Sequence, residues 1–353
     1  MVQKVMYGML ALVPITLALE FLDIGSHSLI FVLSALSLIP LAGVLGTATE
    51  ETAIYTGPKI GSLLNATLGN LAELIIAVAA LREGLESVVR ASIAGSIIGN
   101  ILIVLGASLL LGGLKNGIQS FDPREASTNA TMMTLAVISL VVPGLFYLTN
   151  ADGVTLDRHD AERLSDGVAL IMLVIYAAYL YFTLFDKRSQ KPHKEHIEKA
   201  TMSLKVAIGL LVAATLAVVV MSEILVGVLE PTAESWGLSE VFIGLIVVPL
   251  VGNVAEHLVA VKAAWNNDMD LSLGIALGSG LQVALFVAPV LVLIGEVIDK
   301  PIPMVFNTWE LIALIAAVLL AVAISQDGES NWLEGAQLIA VYLILGTAFY
   351  FAG

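Results

Sequence analysis

The chain is a series of long apolar runs separated by short polar connections. A helix needs about 20 predominantly apolar residues to cross a bilayer, whereas a spanning strand needs only about 10 with alternating polarity. These runs are too long and too uniformly apolar for strands, so they predict helices. Eleven spans are predicted: Val5–Phe21, Leu29–Ala48, Ile60–Leu81, Val88–Leu111, Ala126–Leu148, Val168–Phe185, Leu204–Leu229, Val241–Ala264, Leu271–Ile294, Val305–Ile324 and Trp332–Phe351.

The composition supports an all-α polytopic membrane protein with the lipid bilayer as its surroundings. Of the 353 residues, 58% are hydrophobic and 13% are charged, against about 25% charged in soluble domains. The net charge of −14 would repel a phosphate backbone, which argues against nucleic-acid binding. The sequence contains no cysteine, which excludes disulfides, thiolate metal sites and cysteine nucleophiles.

The longest polar stretch, Asp186–Lys199, divides the chain nearly in half and predicts a linker. With eleven spans, the N-terminus and this linker lie on one side of the membrane and the C-terminus on the other. Eleven of the 16 lysines and arginines fall on the N-terminal side. The excess of positive charge on the inner side of membrane proteins therefore predicts a cytoplasmic N-terminus and linker and an external C-terminus.

Two segments of the chain repeat each other 183 residues apart. They read GSLLNATLGNLAELIIAVAA from Gly61 and GLIVVPLVGNVAEHLVAVKA from Gly244. The identities concentrate on glycine, asparagine, serine and glutamate, which hydrophobic composition alone would not produce. Because the copies lie in the third and eighth spans, an odd offset of five, they cross the membrane in opposite directions, as in transporters with inverted repeats. The predicted organisation is a first helix (1–25), repeat 1 (26–187), a linker (188–202) and repeat 2 (203–353).

Each repeat places a glutamate near the middle of a span, Glu73 in one and Glu256 in the other. A carboxylate at this depth costs several kcal/mol unless it meets a cavity, a partner or a proton. The alternative is a protonated glutamate in a helix–helix hydrogen bond, but two copies at matching depths favour one central site. Asn70 and Asn253 lie three residues before these glutamates and on the same helix faces.

Carboxylate and amide oxygens are ligands that Ca²⁺ prefers, so the four side chains predict a site for a hard cation. Gly69 and Gly252, one turn earlier, would let helices approach closely or open to expose carbonyls. Tight packing alone is the other explanation of these glycines and asparagines. A further layer is expected from Ser96 and Asn100 in GSIIGN and from Ser279 and Gln282 in GSGLQ.

The charge of the glutamate pair suggests how ions are exchanged. Two carboxylates neutralise one divalent cation, and without it they can hold two protons instead. The pair then binds Ca²⁺ or protons but not both, and this competition is what an antiporter requires. Ca²⁺ is expected as the transported substrate, and no cofactor is expected. His257 follows Glu256 and has no counterpart in repeat 1, where Leu74 stands. It either moves protons or packs as a neutral side chain.

The segments GNLAEL, GNVAEH, GSIIGN and GSGLQ resemble the two repeat signatures of the cation/proton exchanger (CAX) branch of the Ca²⁺/cation antiporter superfamily. The resemblance covers nearly the whole chain. It implies a lone first helix plus two inverted five-helix repeats, Ca²⁺/H⁺ exchange by alternating access, and Glu73, Glu256, Asn70 and Asn253 as ligands. It also suggests Glu50 near the ion path, and Glu234 is the acid that lies 183 residues after Glu51.

Three alternatives stay open at this point. A Na⁺-coupled exchanger is second, because sodium/calcium exchangers carry proline where Ala72 and Ala255 stand here. An intramembrane enzyme would need a nucleophile or metal motif that the sequence lacks, and a passive channel would not need paired glutamates. The basic linker favours a prokaryotic-type transporter in the cell membrane. A homo-oligomer is compatible with the sequence.

Overall fold

The computed structural model describes residues 2–149, 158–185 and 200–352, and it confirms a predominantly helical membrane fold. We number the membrane helices in chain order: α1 Met6–Phe21, α2 His27–Thr56, α3 Lys59–Arg82, α4 Glu86–Asn116, α5 Pro123–Thr149, α6 Arg158–Phe185, α7 Leu204–Gly227, α8 Glu240–Trp265, α9 Met269–Val297, α10 Thr308–Ile324 and α11 Trp332–Ala352. Within the described ranges nine of these are long and apolar enough to span a membrane, and α1 and α10 are shorter apolar helices. Each coincides with a predicted span.

The prediction missed a short helix, Leu229–Trp236, which follows α7. The predicted span Leu204–Leu229 includes only the first residue of this helix. Two short strands, β1 (Gln119–Ser120) and β2 (Glu329–Ser330), pair antiparallel with Gln119 opposite Ser330. The predicted linker lies almost wholly outside the described residues, since only 200–202 of it are described.

Contacts between helix ends agree with eleven alternating crossings. At the N-terminal side of the membrane, Lys115 Nζ donates to the Trp265 carbonyl at 2.9 Å, which joins the ends of α4 and α8. At the opposite side, Arg82 Nη1 lies 2.7 Å from Glu223 Oε1, which joins the ends of α3 and α7. Every backbone polar group inside a bilayer needs an internal partner, so continuous helices carry the chain across.

The two repeats interlock in this fold. α2 packs against α7, and α8 packs against both α2 and α4. α5 and α6 of the first repeat pack against α9 of the second. α4 and α9 are the most buried spans, whereas α6 and α11 are the least buried. The centre of the molecule is therefore formed by α3, α4, α8 and α9, the helices that carry the repeated motifs.

Several helix starts are fixed by side chains. Ser26 accepts from Leu29 N at 3.3 Å at the start of α2, and Asp268 accepts from Leu271 N at 3.3 Å at the start of α9. Asn307 and Glu310 form a reciprocal capping box at the start of α10. These side chains satisfy backbone N–H groups that have no partner inside their own helix.

Candidate ion-binding site

α3 is interrupted at the repeated motif. Its first segment is Pro58–Leu68, Gly69 and Asn70 form a turn, and a second segment begins at Leu71. Asn70 has φ −99° and ψ 26°, which lies outside helical geometry. Glu73 thus stands in the first turn of a new helix segment, where N–H groups and the helix dipole favour negative charge.

α8 runs without a break through the equivalent positions, Gly252 and Asn253. Gly252 serves close packing instead: a methyl group on its Cα would lie 3.2 Å from Glu73 Oε1. The two repeated glycines therefore do the two different things that the sequence allowed. Gly69 lies at an opening of the helix, and Gly252 lets α8 lie against the Glu73 carboxylate of α3.

Asparagine and serine side chains join the two repeats at the centre. The Ser279 hydroxyl donates to Asn70 Oδ1 at 3.4 Å, and Asn253 Nδ2 donates to Ser96 Oγ at 3.4 Å. The two pairs are repeat counterparts, because Asn253 and Ser279 correspond to Asn70 and Ser96, but serine is the donor in one pair and asparagine in the other. Each bond joins a helix of one repeat to a helix of the other.

Two more amides extend this network. Asn100 Nδ2 donates to Ser279 Oγ at 3.1 Å, and Asn70 Nδ2 donates to Gln282 Oε1. Ser279 also lies beside the Glu256 carboxyl group, and the Glu73 and Glu256 carboxyl groups are close enough to interact electrostatically. The structure thus brings both predicted glutamates and all predicted amide and hydroxyl side chains of α3, α4, α8 and α9 into one region.

π-helical segments occur at matching places in the two repeats. Asn100–Val104 in α4 and Val283–Val287 in α9 lie 183 residues apart, directly beside the amide network. A third, Ile243–Val247, lies in α8. A π-helical turn inserts an extra residue and turns the following side chains, and such turns are frequent at functional sites.

Four buried oxygens at the centre have no hydrogen-bond donor among the described residues: Glu73 Oε2, Glu256 Oε2, Asn100 Oδ1 and Asn253 Oδ1. A buried acceptor without a donor is costly, and in a native structure it calls for an explanation such as a bound ion. No cluster of three or more histidine, cysteine or acidic residues occurs in the described ranges. The donor set is accordingly two carboxylates with neutral oxygens, which suits a hard cation or protons.

Two cavities meet at this centre. One is lined by Glu73, Ser96 and Pro249 together with residues toward the α3–α4 connection. The other is lined by Ser96, Pro249, Asn253 and His257 together with residues toward the C-terminal end of α4. These directions lie on opposite sides of the membrane, so Ser96 and Pro249 form the layer between the two cavities.

The remaining predicted residues are placed differently. Glu50 is exposed on α2 and Glu234 is exposed on the short helix, and neither lines either of these two cavities. The neighbour of Glu50, Glu51, is buried and accepts hydrogen bonds from Thr201 and Met202, just before α7. Sequence reasoning missed Pro249 and Tyr342, which line cavities. A proline four residues before Asn253 was a readable signal, whereas nothing in the sequence marked Tyr342.

Together, the fold and this centre define a polytopic membrane transporter built from two inverted repeats, not an enzyme. Residues 26–185 and 206–351 match the sodium/calcium exchanger protein family, and the chain belongs to that family.

The relatives agree with the resemblance to cation/proton exchangers. A Ca²⁺/H⁺ antiporter of Aphanothece halophytica is 42% identical, with 98% of this chain and 96% of the relative covered. The Ca²⁺/H⁺ antiporter ChaA of Bacillus subtilis is 43% identical, with 92% of each chain covered. The solved structure of native YfkE superposes with a TM-score of 0.86 at 39% identity, covering 99% of this chain and all of YfkE.

Proposed function

We propose that this protein exchanges Ca²⁺ for H⁺ across a membrane, with Glu73 and Glu256 binding either one Ca²⁺ or protons. The observation that carries the proposal is the pair of buried carboxylate oxygens, one from each repeat, that have no donor among the described residues. Two carboxylates balance the charge of one Ca²⁺. When Ca²⁺ leaves, two protons restore neutrality at the same oxygens. The relatives named as Ca²⁺/H⁺ antiporters support the choice of ions.

We propose that Asn70 and Asn253 supply neutral ligands beside the glutamates. Asn253 Oδ1 is buried without a donor, so it is ready to bind a cation. Asn70 Oδ1 accepts from Ser279, so it would have to exchange that bond for a bond to the ion. The two asparagines are therefore expected to contribute unequally, although they are repeat counterparts.

The two cavities support alternating access. Glu73 faces the cavity toward the α3–α4 connection, and Asn253 and His257 face the cavity on the other side. We propose that an ion reaches the centre through one cavity at a time, with the layer of Ser96 and Pro249 closed between them. A passive channel would need both cavities joined. His257 lines one path and is a candidate for carrying protons through it.

The orientation proposed is a cytoplasmic N-terminus and linker and an external C-terminus, in the cell membrane of a prokaryote. The lysine and arginine distribution supports it. In this orientation the Glu73 cavity opens outward and the His257 cavity opens toward the cytoplasm.

The decisive experiment is ⁴⁵Ca²⁺ uptake into proteoliposomes with an imposed pH gradient, with and without Na⁺. Uptake driven by the proton gradient and unaffected by Na⁺ supports the proposal. Uptake that requires a Na⁺ gradient and ignores pH would instead establish a Na⁺-coupled exchanger. Collapse of the pH gradient by an ionophore is the control for passive leakage.

A further inference from the structure

The interruption of α3 removes several helical hydrogen bonds around Gly69 and Asn70. Gly69 N donates to Asn65 O at 2.8 Å and Leu74 N donates to Asn70 O at 3.1 Å. The four intervening bonds of the helical pattern, to the carbonyls of residues 66 to 69, are not made among the described residues, and Ala66 O is the first carbonyl released in this way. Inside a membrane protein a carbonyl released in this way must find another donor.

Tyr176 of α6 supplies that donor. Its hydroxyl donates to Ala66 O at 3.0 Å, and the side chain is 4% exposed. The same ring lies against Phe286, with ring centroids 5.8 Å apart. Phe286 belongs to the π-helical segment that directly follows Gln282. Tyr176 therefore contacts both α3 and α9, the two helices that the hydrogen bond between Asn70 and Gln282 joins.

We infer that Tyr176 is a positioning residue of the transport site, which holds the break in α3 and so keeps Asn70 directed at Ser279 and Gln282. Without the hydroxyl, Ala66 O regains its most favourable partner by accepting from Asn70 N, and Asn70 returns to helical geometry. That rotation draws the Asn70 amide away from α9 and moves Glu73, three residues later. α8 is continuous across Gly252 and Asn253 and needs no such donor.

The inference rests on the proposed function, because it assigns Tyr176 a role in Ca²⁺ binding at the Asn70 and Glu73 side of the site. The test is Tyr176→Phe, which keeps the ring against Phe286 and removes only the hydroxyl. Tyr179→Phe is the matched control: Tyr179 lies one turn along the same helix, and its hydroxyl donates to Asn129 Oδ1 at 2.9 Å, away from α3.

Ca²⁺ uptake by each reconstituted variant is measured over a range of Ca²⁺ concentrations at one pH gradient. For Tyr176→Phe we expect the KM for Ca²⁺ to rise about fivefold, the effect of one hydrogen bond, with a maximal rate within about twofold of the original. Tyr179→Phe should leave the KM unchanged. KM does not depend on how many transporters are inserted, so a lower yield of folded protein does not obscure the result. An unchanged KM in Tyr176→Phe, or an equal rise in Tyr179→Phe, overturns the inference.

A double variant separates this inference from the proposed site. If Tyr176 acts through Asn70, the variant with both Tyr176→Phe and Asn70→Ala has the KM of Asn70→Ala alone. If the KM of the double variant rose by the product of the two single effects, Tyr176 would act elsewhere. That result overturns the inference and leaves the site intact. If Asn70→Ala left the KM unchanged while Tyr176→Phe still raised it, Asn70 would not belong to the proposed site. That result overturns both the inference about Tyr176 and the proposed role of Asn70 as a ligand.

Discussion

Gly95 of α4 lies directly against the carbonyl oxygen of Leu245 in α8, and a methyl group on Gly95 would overlap that oxygen. Leu245 belongs to the π-helical segment of α8, so the backbones of the two repeats approach each other closely here. Gly278, the repeat counterpart of Gly95, has open space where its methyl group would stand. The same glycine of the motif is therefore required in one repeat and dispensable in the other.

Gly95→Ala should destabilise the protein by about 1–3 kcal/mol, the usual effect of overpacking against a neighbour that cannot move aside. Gly278→Ala should be neutral or stabilising, because alanine favours a helix by about 1 kcal/mol over glycine and meets nothing here. Thermal unfolding in detergent, followed by circular dichroism, distinguishes the two. Equal unfolding temperatures for both variants would contradict the close approach of α4 and α8.

Glu73→Gln and Glu256→Gln should each reduce Ca²⁺ exchange to background while the protein still folds. Glutamine keeps the size and hydrogen-bonding capacity but removes the charge that Ca²⁺ and H⁺ both need. Glu223→Gln is the control, since this acid pairs with Arg82 at the surface and should retain full exchange. ⁴⁵Ca²⁺ uptake normalised to reconstituted protein measures the effect. Substantial exchange by either central variant would remove that glutamate from the site.

Single cysteines should report which cavity is open, and the cysteine-free chain makes the labelling unambiguous. Ile76 lines the Glu73 cavity, so Ile76→Cys should react with a membrane-impermeant reagent from outside only. Ile103→Cys lines the His257 cavity and should react from the cytoplasmic side only. Ala284→Cys is fully buried away from both and should stay unlabelled.

Reversing the proton and Ca²⁺ gradients should change the labelling rates at Ile76→Cys and Ile103→Cys in opposite directions. Alternating access requires this, because opening one cavity accompanies closure of the other. Rapid labelling of both positions in one fixed state would indicate a continuous channel.

Ca²⁺ binding should release protons, and apparent Ca²⁺ affinity should fall as the pH is lowered. At low pH protons occupy the carboxylate oxygens, and Ca²⁺ must displace them, so acidification favours release of Ca²⁺. The glutamate pair limits the release at this site to two protons per Ca²⁺, which would make the exchange electroneutral.

Calorimetry in buffers of different ionisation enthalpy, across pH 6–8, counts these protons. Glu223→Gln should release as many as the original protein. A release of three protons per Ca²⁺ would require another acid or His257 to take part. A Ca²⁺ affinity independent of pH would mean that the glutamates are structural.

The sequence alone determined the membrane class, the eleven spans and the inverted repeat. Bilayer thickness fixes the length of an apolar run, so hydropathy places helices without any knowledge of packing. The sequence also singled out Glu73 and Glu256 as candidate ligands, because an acid at membrane depth is costly enough to stand out. Asn70, Asn253, Ser96 and Ser279 followed from the repeat, and the structure joins them in two corresponding hydrogen-bonded pairs.

Only the tertiary structure decided how the two copies differ. Both motifs contain the same glycine and asparagine, yet α3 opens at Gly69 and α8 stays continuous at Gly252. Neighbours distant in sequence differ as well: Tyr176 of α6 donates to the Ala66 carbonyl in α3. The residue type limits the backbone conformations that a position can adopt, and the atoms packed against the residue select one of these conformations. Those atoms come from helices whose arrangement the two motifs do not encode.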